Sequence, residues 1–400
     1  MPFKFAARMD NIKASEIREL LKLTQKPGII SFGGGFPAPE LFPVAQMLEI
    51  TKEVLEKNGT KALQYGPTEG YQPLREAIAR RMDRVHVKVS PEEILVINGS
   101  QQGLDFAGKI FINTGDKIIV EKPTYLGAIN AFRAYEPQFI DIEMDQDGMI
   151  MDDLEEALKA NIDVKFIYAI PDFQNPSGKT WSVDRRKRLV ELANQYDVVI
   201  IEDNPYGELR FEGEINPAIK HFDTEGRVIF LGTFSKIFCP GMRLGWVAAS
   251  KELLNKFILV KQGADLQSST IAQMEVATFL NDYDIEDHIE KIKSTYRFRR
   301  DVMLQTMKEE FPEGVTYTYP DGGLFTWVVL PEYMNARELA LKALEQNVAF
   351  VPGGSFFANG GHENTLRLNY SAMDEENIII GIKRLATVIK EAMLADATNI

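Results

Sequence analysis

The chain has 400 residues, 45% of them apolar, and a formal net charge of −13. That length exceeds what one compact core holds, so two domains are expected, while the acidic balance argues against a nucleic-acid binder and against a basic membrane-surface protein. Cys239 is the single cysteine, the opening "MPFKFAARMDNIKASEI" has no apolar signal core, and no apolar run reaches membrane-spanning length, so the expected location is the cytoplasm, without disulfides.

In chain order, "NIKASEIRELLKLTQ" places Ala14, Ile17, Leu20 and Leu21 in a stripe at helical spacing, with Ser15 and Arg18 three apart on one face. "GGGFPA", residues 33 to 38, nearly matches Gly-x-Gly-x-x-Ala. Pro37 and Pro39 stop the helix which a dinucleotide fingerprint requires, so a nicotinamide oxidoreductase is set aside. The glycines, Gly35 among them, read instead as a loop whose backbone can approach a ligand.

"EEILVING" reads as a strand and "SQQGLDFAGKIFI" as the helix after it. "DKIIVEKPTY", "DVKFIYAIPDF", "DVVIIEDNPY" and "RVIFLGTFS" are further apolar runs, each ending in a polar or proline-bearing loop. "SVDRRKRLVELANQY" is a helix capped by Ser182 or Asp184. Strands buried on both faces and separated by helices indicate an α/β domain with a mostly parallel central sheet, expected over residues 46–285. Later come a long helical stretch, "VTYTYPDGGLFTWVVL", a helix, "VAFVPGGSFF", "TLRLNYS" and a closing helix. This reads as a smaller α+β domain over 286–400, with 1–45 beside it. The sequence holds no internal repeat.

In open α/β sheets, ligands sit beyond the carboxyl ends of the strands. Ser100, Tyr125, Asn175, Asp203 and Lys236 each follow a different expected strand, so they can converge on one cleft. Lys236 lies between apolar stretches, with Thr233 and Ser235 before it and Arg243 seven residues on. An amine with a nearby cation and hydroxyls suits a nucleophile beside a phosphate grip, which suggests pyridoxal phosphate; a lysine on an exposed turn is the plain alternative. The N–H groups of Ser100 and Gln101 open a helix and can face an anion, or serve only as a cap.

Asp203 ends a very apolar strand, where a carboxylate can pair with a pyridinium nitrogen. Tyr206 and Asn175 can bond the ring's phenolic oxygen, although Asn-Pro-Ser-Gly alone reads as a turn. Tyr125 can stack on a flat ring or fill the core. Arg367, mid-strand between leucines, needs a carboxylate: an internal Asp or Glu, or the α-carboxylate of a substrate. His86, His221, His288 and His362 are scattered and show no metal-ligand spacing, so no metal is expected.

Taken in order, Asn98–Asp105, Asn175-Pro176, Asp203-x-x-Tyr206 and Ser235-Lys236 with Arg243 resemble the class I/II aminotransferases of pyridoxal-phosphate fold type I. "SFGGGFPAPELFP" and "QYGPTEGYQPLREAIA" are most similar to the 2-aminoadipate and kynurenine aminotransferase group. The resemblance implies that Lys236 is the Schiff-base lysine and that Asp203, Asn175, Tyr206 and Tyr125 hold the ring. It implies a phosphate site of Ser100, Gln101, Thr233, Ser235 and Arg243, and a substrate site of Arg367, Asn175 and Gly35. It also implies that Ser15 and Arg18 contact the substrate side chain, and that the Asn175–Pro176 bond is cis.

A homodimer with shared active sites follows from the same resemblance, with Tyr65 reaching the neighbouring subunit's phosphate. The expected reaction moves the amino group of an L-amino acid (2-aminoadipate, aromatic or branched-chain) to 2-oxoglutarate by a ping-pong mechanism. The substrates are thus amino and 2-oxo acids, with no nucleic-acid or membrane partner. Alternatives are a pyridoxal-phosphate decarboxylase or β-lyase, and a non-catalytic cofactor-sensing domain.

Overall fold

The computed structural model describes residues 3–12 and 28–397. Ser15 and Arg18 lie outside the described residues. The strands in chain order are β1 (Ile30–Ser31), β2 (Ile94–Ile97), β3 (Lys117–Lys122), β4 (Gln138–Asp145), β5 (Gly148–Met149), β6 (Phe166–Ala169), β7 (Val199–Asp203), β8 (Val228–Thr233) and β9 (Gly245–Ala248), then β10 (Thr316–Tyr317), β11 (Phe325–Val329), β12 (Val348–Ala349), β13 (Val351–Pro352) and β14 (Thr365–Asn369).

Eight of these form the central sheet in the order β2-β9-β8-β7-β6-β3-β4-β5. The β8/β7, β7/β6, β6/β3 and β3/β4 pairs are parallel. β9 runs antiparallel to both β2 and β8, and β5 antiparallel to β4. The mostly parallel sheet inferred from sequence is therefore present, with two reversed strands that the apolar runs did not reveal.

Alternate residues of these strands enter two separate cores, because successive side chains point to opposite faces. Phe166 and Tyr168 join one core with Ile201 and Ile229. Ile167 and Ala169 join the other with Ile200 and Val228. Helices cover both faces: Ser100–Phe111 brings Leu104 and Ala107 to the first core, and Val183–Tyr196 brings Leu189 and Leu192 to the second. Ser182 caps the latter, its side chain accepting from the Arg185 N–H.

A four-stranded antiparallel sheet, β10-β11-β14-β13, follows later in the chain. β1 pairs with β12, and the Asn369 N–H donates to Phe32 O at 2.9 Å. These bonds carry the Gly33–Gly35 loop past the end of β14, toward the central sheet's carboxyl edge.

Candidate active site

A cleft of about 630 Å³ opens at that edge. It is lined by Ser100, Gln101, Tyr125, Asn175, Asp203, Tyr206, Thr233, Ser235, Lys236, Arg243, Arg367 and Gly35. Eleven of these twelve residues come from strand ends, turns, β14 and the start of the helix Ser100–Phe111, and the Gly33–Gly35 loop supplies Gly35. Tyr65 is 80% exposed and lies outside this lining.

Lys236 and Arg243 come together because β8 and β9 are antiparallel neighbours, with Thr233 opposite Gly245. The connection folds back and brings both cations to one wall. Lys236 Nζ donates to Gly35 O at 2.8 Å. Burial, then the charges of Arg367 and Arg243, lower its pKa to about 8, against a pull upward from Asp203. A side chain at Gly35 would start 3.2 Å from the Phe325 ring, which is why this stretch of backbone can pass so close.

Asp203 is the last residue of β7 and is 2% exposed. Its Oδ2 accepts from the Tyr168 hydroxyl at 2.7 Å, while Oδ1 is buried without a partner. Burial raises its pKa to about 6, opposed by the Tyr168 hydrogen bond and the Lys236 charge. A buried acceptor left open costs stability. Its position at the floor of the cleft suits a ligand N–H, as a protonated pyridine would supply.

Thr233 Oγ1 and Ser235 Oγ are 3.0 Å apart and both residues are buried. Arg243 has a left-handed backbone, φ 54°, and Nη2 donates to Asn98 O at 3.3 Å. Ser100 and Gln101 begin the helix Ser100–Phe111, so their N–H groups have no partner within it. Hydroxyls, a guanidinium and a helix start thus meet at one end of the cleft, a donor set that fits a phosphate. Tyr125 is held beside them by its hydroxyl, 3.3 Å from Gln101 Oε1.

The Asn175–Pro176 bond is cis, as the resemblance implied. Asn175 Nδ2 lies 3.5 Å from the Tyr206 hydroxyl, and its Oδ1 accepts from Arg367 Nη1 at 2.7 Å. Arg367 is 5% exposed and its Nη2 donates to Gly33 O at 2.7 Å. Its guanidinium lies 4.1 Å from the centre of the Phe325 ring and 5.1 Å from that of Phe356. No Asp or Glu pairs with it among the described residues, and Nε is left without a partner. The internal-acid alternative therefore finds no partner among the described residues. Burial lowers this guanidinium to about 10.

Several supporting residues escaped the sequence reading. Tyr168 sits in an apolar strand and reads as core. Arg186, in a run of basic residues, reads as solvent-facing but is fully buried. It grips Asp172 through both Nη atoms at 3.0 and 2.7 Å, and Asp172 also accepts from Asn204 at 3.1 Å. That clamp ties the loop carrying Asn175 to the loop carrying Tyr206. Among the described residues, no cluster of three or more His, Cys, Asp or Glu could hold a metal, and no helix is long and apolar enough to cross a membrane.

Sheet order, cleft and donor set define a fold type I pyridoxal-phosphate transferase. The family model Aminotransferase class I and II matches residues 29–385, and the chain belongs to that family, whose cofactor is pyridoxal 5'-phosphate. It is 50% identical to "Aromatic-amino-acid aminotransferase 1" of Thermococcus litoralis over 97% of this chain and 94% of that protein. It is 44% identical to "2-aminoadipate transaminase" of Thermus thermophilus over 96% of each. Among solved structures it is similar to an alpha-aminoadipate aminotransferase of Thermus thermophilus complexed with N-(5'-phosphopyridoxyl)-L-leucine. There the TM-score is 0.91 and the identity 42%, over 98% of both chains.

Proposed function

We propose that this aminotransferase moves the amino group of aromatic, branched-chain and 2-aminoadipate donors to 2-oxoglutarate, the first product leaving before the acceptor binds. The observation that carries the reading is the buried guanidinium of Arg367, which pairs with no acid among the described residues and lines the same cleft as Lys236 and Asp203. It is a cation waiting for a carboxylate, and every amino acid and 2-oxo acid brings one.

In this reading Ser100, Gln101, Thr233, Ser235 and Arg243 hold the cofactor phosphate. Asp203 Oδ1 would accept from the ring nitrogen, Asn175 and Tyr206 would hold the phenolic oxygen, and Tyr125 would stack on the ring. When bound, the cofactor supplies a sink for the electron pair left at Cα. Lys236 would carry the covalent link to the cofactor and, once freed, would take up and return the proton at the substrate Cα, a role that its lowered pKa favours. Arg367 binds the α-carboxylate, which turns the Cα–H bond toward Lys236.

For the side chain, the cleft presents Phe36, Phe325 and Phe356, suited to aromatic and branched donors. The acidic donor is supported by the printed name of the Thermus thermophilus relative, and the acidic donor and acceptor alike by the sequence reading of Ser15 and Arg18. Val44 and Leu48, on the helix Val44–Ala62 that leads toward Tyr65, and Leu63, Leu259 and Leu266 are exposed apolar side chains. A homodimer would bury such side chains and bring Tyr65 to its neighbour's phosphate.

A donor panel with 2-oxoglutarate tests the proposal. Glutamate should appear in step with consumption of tyrosine, leucine and 2-aminoadipate. Release of ammonia or carbon dioxide without glutamate would support the lyase or decarboxylase reading instead, and a single accepted donor would refute the breadth.

A further inference from the structure

Behind the helix start that faces the cleft lies a lysine with no solvent exposure. Lys261, on the helix Lys251–Ala264, is fully buried, a state that lysine tolerates only when paired. Its Nζ lies 2.9 and 3.1 Å from the two oxygens of Asp265 and 3.0 Å from Gln102 Oε1. Asp265 Oδ2 also accepts from Asn98 Nδ2 at 2.6 Å and from Gln102 Nε2 at 2.7 Å. Gln102 Oε1 in turn accepts the Asn98 N–H at 2.9 Å.

The ion pair therefore grips the chain on both sides of Gly99, whose φ of +75° and ψ of 160° make the sharp entry into the helix. Asn98 is held by side chain and backbone before the turn, and Gln102 after it. Asn98 O is also the acceptor for Arg243 Nη2. Ser100 and Gln101, between the gripped residues, line the cleft, whereas Gln102, Lys261 and Asp265 do not.

We propose that Lys261 and Asp265 are positioning residues for the phosphate: through Asn98 and Gln102 they hold the N–H groups of Ser100 and Gln101, and the guanidinium of Arg243, in the geometry an anion needs. The inference rests on the reading above that the phosphate binds at this helix start. The pair also adds no net charge beside the anion. Removing Lys261 alone loosens the turn and exposes the phosphate to an uncompensated Asp265 carboxylate, and both effects weaken binding. Removing Gln102 cuts the link with no change of charge.

The test strips the full chain of cofactor and titrates it with pyridoxal 5'-phosphate and with pyridoxal, which lacks the phosphate. Lys261→Met is expected to bind the phosphorylated compound about tenfold or more weakly than the native chain, and pyridoxal within about twofold of it. Gln102→Met is expected to show the same selective loss, about threefold to tenfold. Thermal unfolding establishes that each variant is folded; if Lys261→Met is not, Gln102→Met decides. A folded variant with the native ratio of the two affinities, or with equal losses for both compounds, overturns the proposal. If the native chain itself binds both compounds equally, the phosphate assignment fails instead.

Discussion

Arg367 offers the sharpest separation of function from stability. Its guanidinium is buried against Phe325 and Phe356 and, among the described residues, bonded only to neutral oxygens, those of Asn175 and Gly33. Burial lowers its pKa to about 10, so at any pH below about 10 the buried charge opposes folding by roughly 3 kcal/mol. Arg367→Met removes that cost but leaves the Asn175 and Gly33 oxygens without their donor, about 1–3 kcal/mol each. The two effects are of similar size, so Tm should change by no more than about 5 °C. Catalysis has no such offset. A guanidinium meets a carboxylate with two N–H donors, and an ammonium cannot reproduce that grip. Arg367→Lys should lose one charge-assisted hydrogen bond, about 1.5–3 kcal/mol, or about ten- to hundredfold in kcat/KM. Arg367→Met should lose about 3–5 kcal/mol. Steady-state kinetics with several donors and several 2-oxo acids is the assay. The loss must be shared by all of them, because all carry the carboxylate at Cα. Native kcat/KM in Arg367→Lys, or a loss confined to one class of side chain, would refute the assignment.

Tyr168→Phe removes the hydroxyl that donates to Asp203, a bond that holds the carboxylate's pKa down. Its loss moves that pKa upward, so the acid limb of the kcat/KM profile should shift to higher pH, with kcat about ten- to hundredfold lower; an unmoved limb would contradict this. Gly99→Ala places a methyl 2.7 Å from Arg243 Nη2 on a backbone with φ +75°. It should cost about 1–3 kcal/mol of stability and weaken cofactor retention, read by thermal unfolding and by dialysis. Tyr65→Ala removes a side chain that is 80% exposed and lines no wall of its own chain's cleft. Tm should barely move, yet the cofactor should dissociate faster, because the proposed homodimer would bring this residue to the neighbouring subunit's phosphate; unchanged dissociation would argue against the shared site.

The polar residues at strand ends were the most legible part of the site. Asp203 and Lys236 stand out because each closes or follows a strand so apolar that a charge there needs a reason. Arg367 was legible for the same reason, between two leucines of β14. Tyr168 was not, since a tyrosine inside "FIYA" has the same pattern as core, and its partner Asp203 is 35 residues away. Arg186 and Lys261 were hidden in helices whose other charged residues are solvated, and only packing against distant loops buries them. β9 is four residues long and merges in sequence with the Arg243 loop, so its reversal of the sheet could not be read. That reversal brings Lys236 and Arg243 to one wall, which the motif spacing alone left open.

The proposed chemistry requires one covalent site, at Lys236. Borohydride reduction of the purified protein with its cofactor, followed by peptide mass mapping, should place the pyridoxyl mass on Lys236 and nowhere else. Recovery of the label on another lysine, or a protein that takes up no label when supplied with pyridoxal 5'-phosphate, would contradict it.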